Sequence, residues 1–343
     1  MKLYCECNLF LNKEFEIKHQ FSVTQQELVL TSINERTAET RFTKQSIEYK
    51  CQWTMQPDFD VSRPTIIMPI RDYSELLSKT VSNMKQNNIL NYCNFIVVDD
   101  RSTETLRNLV KDYSYLRIDN DKGFNFSMLN NIAAFLVYRL GGKEIILWSS
   151  DVYINSENDF LNLLSKHRES NSSVSGPKLL YPPKDISFVK EADSDNITGF
   201  YPHKKGQWRN TVQYGGTIWM PSSPLQPYLP HHYMRFGNPF DSRVNCDKGV
   251  DCLTGAILAV DLENFIKLGG LNPSLAKNFQ DTDYCLKTVD NDLSCHYFGK
   301  DSHFYHDESL TIATTKNDNQ LLSDSVLFSK LWNEKIQNLI IGR

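Results

Sequence analysis

The sequence predicts an α/β protein built on a mostly parallel sheet with helices packed on its faces. Between residues 64 and 151, short continuous apolar segments alternate with segments whose apolar residues recur at helical spacing. A continuous apolar run is typical of a strand buried on both faces, and alternating strands and helices are typical of a parallel sheet. The 343 residues include 40% hydrophobic and 23% charged side chains, which is ordinary for a globular chain.

The elements of this region can be placed in order. Strands are predicted at residues 65–69, 95–98, 115–118 and 145–148, and helices at a segment with Ser74 as its N-cap, at 103–112 and at 126–139. Further along, a strand is predicted at 254–260, a helix at 279–292 and a closing amphipathic helix at 319–337. Two strands end in acidic residues, namely Asp99 with Asp100, and Asp151. Ligands bind beyond the carboxyl ends of parallel strands, so these carboxylates are expected to face one crevice.

The flanking regions have a different pattern. Residues 1–62 contain short runs of alternating polar and apolar side chains, for example at 14–18, and predict a small β-rich extension that covers a sheet edge. Residues 63–343 are expected to form the main domain. Within it, a proline-rich insertion at 181–250 separates residues 63–180 from residues 251–343.

Composition excludes several classes of protein. The net charge is −4, whereas non-specific nucleic-acid binders carry an excess of positive charge. The eight cysteines form no CxxC pair, which argues against zinc ribbons and thioredoxins. No apolar run approaches the roughly 20 residues of a membrane-spanning helix. No signal peptide is recognised at residues 1–16, so we expect a cytoplasmic protein with reduced thiols.

Nucleotide-binding motifs that rely on glycine are missing from the sequence. There is no GxGxxG after the first strand, no GxxxxGK[ST] and no GxSxG. The crevice offers carboxylates instead. Carboxylates can face a nucleotide diphosphate only with a divalent cation between them, and Mg²⁺ or Mn²⁺ prefers such oxygen ligands.

Six stretches in register carry a more specific resemblance. They are IVVDDRST at 96–103, GFNFSMLNN at 123–131, LWSSDV at 147–152, TGA at 254–256, QDTDYCL at 280–286 and YHDES at 305–309. In these the chain resembles the family 2 glycosyltransferases of GT-A fold, in particular the subset that builds surface polysaccharides such as O-antigen. The resemblance extends over about residues 64–335.

The resemblance implies a GT-A type αβα sandwich with a nucleotide-binding half at 63–180 and an acceptor half at 251–343, the insertion at 181–250 lying on the acceptor side. It also implies an inverting glycosyltransferase that moves a hexose or pentose from a nucleotide-diphospho-sugar to a carbohydrate or lipid-linked glycan. A lipid-linked acceptor would place the protein at the membrane surface. The implied nucleotide-sugar contacts are Pro69, Arg71, Asp99, Asp100, Asn125, Ser150 and Asp151.

The metal and the general base are also assigned through the resemblance. Asp151 and His306 would hold Mn²⁺ or Mg²⁺, and His303 competes with His306 for this role. An imidazole ligand favours Mn²⁺ over Mg²⁺. Asp281 would deprotonate the acceptor hydroxyl, and Asp283 is the alternative base.

Three other functions remain open. A phage or viral enzyme that glycosylates modified DNA bases is supported only by the basic loop at 203–209. A catalytically silent domain that binds nucleotide or glycan is suggested by Ser149 and Gln280, which replace acidic residues of the family pattern. A sugar-1-phosphate nucleotidyltransferase would need a Gly- and Arg-rich loop after the first strand, and residues 70–73 do not supply one.

Overall fold

The computed structural model describes residues 10–11, 18–34, 39–104, 106–119, 123–187, 208–221, 228–307 and 319–341. Its strands are β1 (Phe10–Leu11), β2 (Lys18–Asn34), β3 (Glu39–Thr54), β4 (Thr65–Ile70), β5 (Asn94–Asp100), β6 (Ser114–Asp119), β7 (Glu144–Trp148), β8 (Val152–Ile154), β9 (Val174–Leu180), β10 (Val212–Tyr214), β11 (Thr217–Pro221), β12 (Tyr228–His232), β13 (Asp247–Val250), β14 (Ile257–Asp261) and β15 (Cys295–His306). Its α-helices are α1 (Ser74–Gln86), α2 (Phe126–Arg139), α3 (Glu157–Glu169), α4 (Leu262–Lys267), α5 (Gln280–Asp290) and α6 (Asn319–Ile341).

One large sheet organises the described residues. Its strand order is β1-β2-β3-β6-β5-β4-β7-β14-β9-β15-β13, with β10 beside β9 and β8 beside β15. Strands β6, β5, β4 and β7 are parallel neighbours. Strand β14 runs antiparallel to β7 and β9, and β15 is parallel to β9, so the central strands other than β14 all point in one direction. The predicted α/β architecture with a mostly parallel sheet is confirmed.

Two local predictions needed correction. Ser74 is the first residue of α1 and not its N-cap; the N-cap is Tyr73, whose φ of 56° is left-handed and which makes no side-chain cap hydrogen bond. The helix predicted at 103–112 is a short 3₁₀ helix at Leu106–Val110 in the described residues. The helix predicted at 126–139 is confirmed as α2, where the Asn125 side chain accepts the Met128 N–H as an N-cap.

The N-terminal extension continues the sheet. Strands β2 and β3 form an antiparallel pair, and residues 50–54 of β3 pair with residues 115–119 of β6. Along β3 the side chains alternate, since Tyr49, Cys51 and Trp53 are buried while Lys50 and Gln52 are exposed. The buried ones join the main core, so β3 covers what would otherwise be an open edge at β6.

The closing helix α6 packs against the segment that precedes it and against the insertion. Its Leu327, Phe328, Trp332 and Ile336 are buried against Leu275 and Leu286 of the preceding segment. The two-stranded sheet β11–β12 from the insertion packs on the same cluster. Helix α6 therefore joins the insertion to α5, the helix that carries the predicted general base.

Candidate active site

Strand β4 extends beyond its pairing with β7. The ladder between them runs from Thr65–Ile145 to Ile67–Leu147 and then ends, whereas β4 stays paired with β5 as far as Ile70. Pro69 lies just beyond the end of the β4–β7 ladder, has no N–H to continue it and is buried in β4. The crevice expected from the sequence would lie beyond this end of the ladder.

The loops that leave β4 and β5 are strained and joined to each other. Asp72, Tyr73 and Arg101 all have left-handed φ angles of 51° to 59°. The Asp72 N–H donates to Ser102 Oγ, and its carboxylate accepts the N–H and hydroxyl of Thr103, all at 2.8 Å. Such backbone strain costs stability and persists where the surroundings enforce it, which is common at functional sites.

The two aspartates that end β5 have different partners. The Asp99 carboxylate is fully buried; it accepts the Ser102 N–H at 2.8 Å, pairs with Arg117 at 2.7 Å and also binds the Tyr115 hydroxyl. Burial, followed by the Asp99 contact, raises the pKa of Tyr115, which therefore stays a neutral donor. Asp99 at the end of β5 therefore links that strand to β6, which carries Tyr115 and Arg117.

Asp100 faces the other loop. Its Oδ2 atom lies 3.5 Å from the Nη1 atom of Arg71, whose side chain is 34% exposed. Asp100 itself is buried, so this contact brings together two members of the predicted nucleotide set, one at the end of β5 and one just after β4.

Asp151 and His306 lie together. The Nε2 atom of His306 is 3.4 Å from Asp151 Oδ1, with the side chains 12% and 13% exposed. The backbone holds them there, since His306 pairs with Val152 across β15 and β8 and the Asp307 N–H donates to the Asp151 carbonyl. The structure thus brings together the two residues predicted to bind the metal.

His303 has a different environment. Its ring Nδ1 atom lies 3.2 Å from Asp159 Oδ1, and its backbone N–H donates to the same oxygen. Asp159 in turn accepts the hydroxyl of Ser156, the N-cap of α3. Burial lowers the pKa of His303, with Asp159 acting in the opposite direction. His303 therefore supports the start of α3 and does not face Asp151.

The side-chain atoms of Asp151 and His306 suit a divalent metal that takes its remaining ligands from the substrate. Within the described residues no group of three or more His, Cys, Asp or Glu side chains is arranged to hold a metal. Asp151 and His306 would supply one carboxylate oxygen and one imidazole nitrogen, a set compatible with Mn²⁺ that leaves positions open for phosphate oxygens.

The predicted base, Asp281, is connected by hydrogen bonds to the segment that leads to Asp151. Strand β14 pairs with β7 so that Ile257 lies opposite Trp148, and the Ser149 N–H donates to the Ala256 carbonyl at 2.8 Å. The neighbouring Gly255 N–H donates to Asp281 Oδ2. The segment that ends in Asp151 and the segment that holds Asp281 are therefore adjacent.

Asp281 lies in the first turn of α5. Its Oδ1 atom accepts the Thr282 N–H at 2.7 Å and the Thr282 hydroxyl at 3.3 Å. Burial raises the pKa of this carboxyl, while the N–H groups of Gly255 and Thr282 act to lower it. A raised pKa makes the carboxylate a stronger base. Each carboxylate oxygen can accept two hydrogen bonds, so Oδ2 retains acceptor capacity for a substrate hydroxyl.

The Asp283 carboxylate has partners within the protein. Its Oδ1 atom accepts the Trp332 indole N–H at 2.8 Å, and its Oδ2 atom lies 3.2 Å from Lys287 Nζ. Asp283 is 2% exposed. It therefore attaches α6 to α5, which leaves Asp281 as the better placed of the two carboxylates.

Two other predicted contacts have structural partners. Asn125 is buried, and besides capping α2 it donates from Nδ2 to the Pro273 carbonyl at 2.9 Å. The carbonyl of Ser150 accepts the hydroxyl of Thr80 on α1. A nucleotide contact by the Asn125 side chain would compete with these bonds, and this role stays a prediction.

Sequence reasoning missed a polar group beside Asp151. Asp307 is 1% exposed and accepts the Ser187 hydroxyl at 2.6 Å, while Lys79 of α1 donates to the Ser187 carbonyl. Burial lowers the pKa of Lys79, and the carboxylates of Asp307 and Asp185 act against this. Because these residues come from three distant segments, no local pattern could have joined them.

Part of the predicted site lies outside the described residues. This holds for Glu308 and Ser309 of the YHDES stretch and for residues 203–207 of the basic loop. Of the loop's described residues, Trp208 stacks near Phe236 with centroids 4.7 Å apart, and Arg209 donates to the Pro182 carbonyl. Among the described helices, none combines the length and the apolar character needed to cross a bilayer.

Comparison with known proteins gives distant similarities. No protein-family model matches the chain. The chain is 25% identical over 249 residues to the uncharacterized protein y4gI of Sinorhizobium fredii (strain NBRC 101917 / NGR234). That alignment covers 70% of this chain but 23% of the relative, so the chain spans under a quarter of the relative's length.

Two solved structures are similar at low identity. One is the mannosyltransferase PcManGT from Pyrobaculum calidifontis in complex with GDP-Man and Mn²⁺, at 12% identity and a TM-score of 0.45, covering 75% of this chain and 60% of that one. The other is a mutant Drosophila beta-1,4-galactosyltransferase 7 in complex with manganese, UDP-Gal and xylobiose, at 13% identity and a TM-score of 0.40, covering 76% and 79%. At these values both structures are distant from this chain in sequence and shape.

Proposed function

We propose that this chain is a GT-A type glycosyltransferase domain, similar to family 2, that transfers a sugar from a nucleotide-diphospho-sugar to an acceptor hydroxyl with inversion. The observation that carries the proposal is the junction of Ser149 with Ala256. This hydrogen bond joins the segment that leads to Asp151 with the segment whose Gly255 N–H binds Asp281, which supports a shared site for the Asp151–His306 pair and Asp281.

The donor would lie across the ends of β4, β5 and β7. Arg71 and Asp100 would contact the nucleotide, since a guanidinium binds phosphate or carbonyl oxygens and a carboxylate accepts ribose hydroxyls or base N–H groups. Asp151 and His306 would hold the metal at the diphosphate. A bound Mn²⁺ or Mg²⁺ would neutralise charge on the departing nucleoside diphosphate.

The transfer needs one proton acceptor. The acceptor hydroxyl oxygen attacks the anomeric carbon, its proton passes to Asp281, and the bond between that carbon and the diphosphate oxygen breaks. A single displacement inverts the anomeric centre. The carboxyl with the raised pKa suits this role, because general bases work best when their pKa approaches the working pH.

The acceptor is proposed at the level of its class. A carbohydrate or a lipid-linked glycan would approach from the side of the insertion and α5, where the Asp281 carboxylate accepts the N–H of Gly255. A glycosylated DNA base is the second acceptor class, and its support is limited to the basic loop at 203–209.

Thermal unfolding tests the proposal. The melting temperature would be measured with UDP, GDP, dTDP, CMP and ADP, each with and without Mn²⁺, because a ligand that binds the folded state raises it. We expect one nucleoside diphosphate to stabilise the chain in the presence of Mn²⁺ and to lose this effect in Asp151→Ala. If no nucleotide stabilises the chain, the donor site is rejected. If a nucleotide stabilises it but no sugar is transferred or hydrolysed, the silent-domain alternative takes its place.

A further inference from the structure

A buried amide lies behind the proposed metal pair. Gln213 in β10 is 0% exposed. Its Oε1 atom lies 3.5 Å from His306 Nδ1, and its Nε2 atom lies 3.1 Å from His232 Nδ1. Gln213 thus contacts one ring nitrogen of each of two histidines, and one of these is the histidine that faces Asp151.

The two nitrogens of His306 have different requirements. A neutral imidazole has one N–H donor and one lone-pair acceptor. Asp151 is an acceptor and lies by Nε2, so on its own it would favour a proton on Nε2. A metal at Nε2 needs the lone pair there, and the proton must then sit on Nδ1 and have an acceptor. Gln213 Oε1 lies on that side of the ring.

His232 bears on the orientation of the amide. With Nε2 of Gln213 donating to His232 Nδ1, the amide oxygen is directed at His306. With the His232 proton on Nδ1, that nitrogen would donate to the backbone carbonyl of Gln213 at 3.0 Å. The side-chain amide of Gln213 would then favour the opposite orientation, with its oxygen toward His232. The His232 ring also packs edge-on against Tyr214, with ring centroids 5.1 Å apart.

We propose that Gln213 is a positioning residue for the metal site: its amide oxygen accepts the Nδ1 proton of His306 and leaves Nε2 as the ligand atom. The inference rests on the proposed function, because it needs Asp151 and His306 to hold a divalent cation. It gives a role to a buried residue that is not among those proposed to bind the nucleotide-sugar or the acceptor. Partners of metal-bound histidines commonly change metal affinity by about 10- to 100-fold when they are lost.

Mn²⁺ affinity is the quantity to measure. Mn²⁺ would be titrated into the full chain and the free ion followed by its electron paramagnetic resonance signal. We expect Gln213→Met, a side chain of similar length without an acceptor oxygen, to weaken Mn²⁺ binding by about 10-fold or more. Gln213→Glu restores an acceptor oxygen and should bind Mn²⁺ at least as tightly as the native chain. If transfer is observed, excess Mn²⁺ should restore it in Gln213→Met, which a merely structural defect would not allow.

A neighbouring buried residue supplies the matched control. The Tyr214 hydroxyl donates to the Cys252 carbonyl at 3.1 Å, so Tyr214→Phe removes a buried hydrogen bond one residue away and leaves Gln213 intact. We expect it to lower the melting temperature without changing Mn²⁺ affinity. Equal affinity of Gln213→Met and the native chain would overturn the inference, as would equal weakening by Gln213→Met and Tyr214→Phe. If the native chain binds no Mn²⁺, with or without a nucleoside diphosphate, the proposed metal role fails first and the inference fails with it.

Discussion

The imidazole Nε2 of His306 lies 3.4 Å from the carboxylate Oδ1 of Asp151, although the two residues belong to different halves of the chain. His306 is paired with Val152 in the β15–β8 ladder, and the carbonyl of Asp151, in the turn before β8, accepts the Asp307 N–H. The backbones of both residues are therefore fixed next to each other. This arrangement leads to specific expectations for variants.

Removing either member of the pair should abolish the effect of Mn²⁺ on nucleotide binding. Asp151→Ala and His306→Ala each take away one of the two proposed protein ligands, so the Mn²⁺-dependent rise in melting temperature should be lost. His303→Ala is the matched control, because His303 contacts Asp159 and not Asp151. A loss of the Mn²⁺ effect in His303→Ala, with retention in His306→Ala, would reverse the assignment.

The two acidic residues in the first turn of α5 should differ in phenotype. Asp281→Asn should lower kcat by about 100-fold or more, since it removes the proton acceptor. It should also cost some stability, because both carboxylate oxygens accept backbone N–H groups and the amide has one acceptor oxygen, so kcat is compared at a temperature where the variant is folded. The measurements are kcat and the free energy of unfolding.

Asp283→Ala should lower stability more than activity. It leaves the buried Trp332 indole N–H without its acceptor and removes the carboxylate beside Lys287, so it should cost about 1–3 kcal/mol of stability. Its effect on kcat at a temperature where the variant is folded should be smaller than that of Asp281→Asn. The reverse ranking of the two variants would make Asp283 the base.

A side chain at Gly255 should displace the Asp281 carboxylate. A Cβ at this position would lie 3.0 Å from Asp281 Cβ and 3.2 Å from its Oδ2, so Gly255→Ala would push the carboxylate away. We expect a fall in kcat with a smaller change in nucleotide affinity. Gly249→Ala is the control, because the nearest atom to its added Cβ is 4.0 Å away. Equal activity of the two variants would contradict the placement of Asp281.

The pH dependence of transfer should reflect Asp281. A general base acts in its ionised form, and burial raises the pKa of this carboxyl above its ordinary value of about 3.9. Activity should therefore rise with pH through an apparent pKa above that value. The stability of the fold should change with pH in the opposite direction. In the unfolded chain this carboxyl ionises at a lower pH than in the folded protein, so its contribution to stability falls as pH rises from the unfolded to the folded pKa. A kcat profile that is flat on its acid side would exclude this base.

Asp99 should be needed mainly for folding. Its removal in Asp99→Ala leaves Arg117 and the Tyr115 hydroxyl without their buried partner, at a cost of about 3 kcal/mol. Asp100→Asn should instead weaken nucleotide binding with little change in unfolding free energy. Chemical denaturation and a nucleotide titration on both variants would check this difference.

Much of the fold follows from local pattern. The apolar runs at 65–69 and 95–98 lie in strands β4 and β5 at the centre of the sheet, and the apolar spacing of 126–139 matches α2. The carboxylates that end two strands were also recognisable, because a strand's last residue can be read from where its apolar run stops. Ser74 was misassigned because its position beside a left-handed Tyr73 depends on strain imposed by the neighbouring loop.

The choice between similar residues required the tertiary structure. Asp281 and Asp283 are equally acidic in sequence, yet Asp283 contacts Trp332 on a helix that arrives much later in the chain. His303 and His306 lie on one strand, yet the strand or helix packed against each of them decides its partner. The part played by Gln213 depends on β10 lying beside β9, which brings it behind His306. Periodicity reports which face of an element is buried, whereas the group that a polar side chain meets is set by long-range packing.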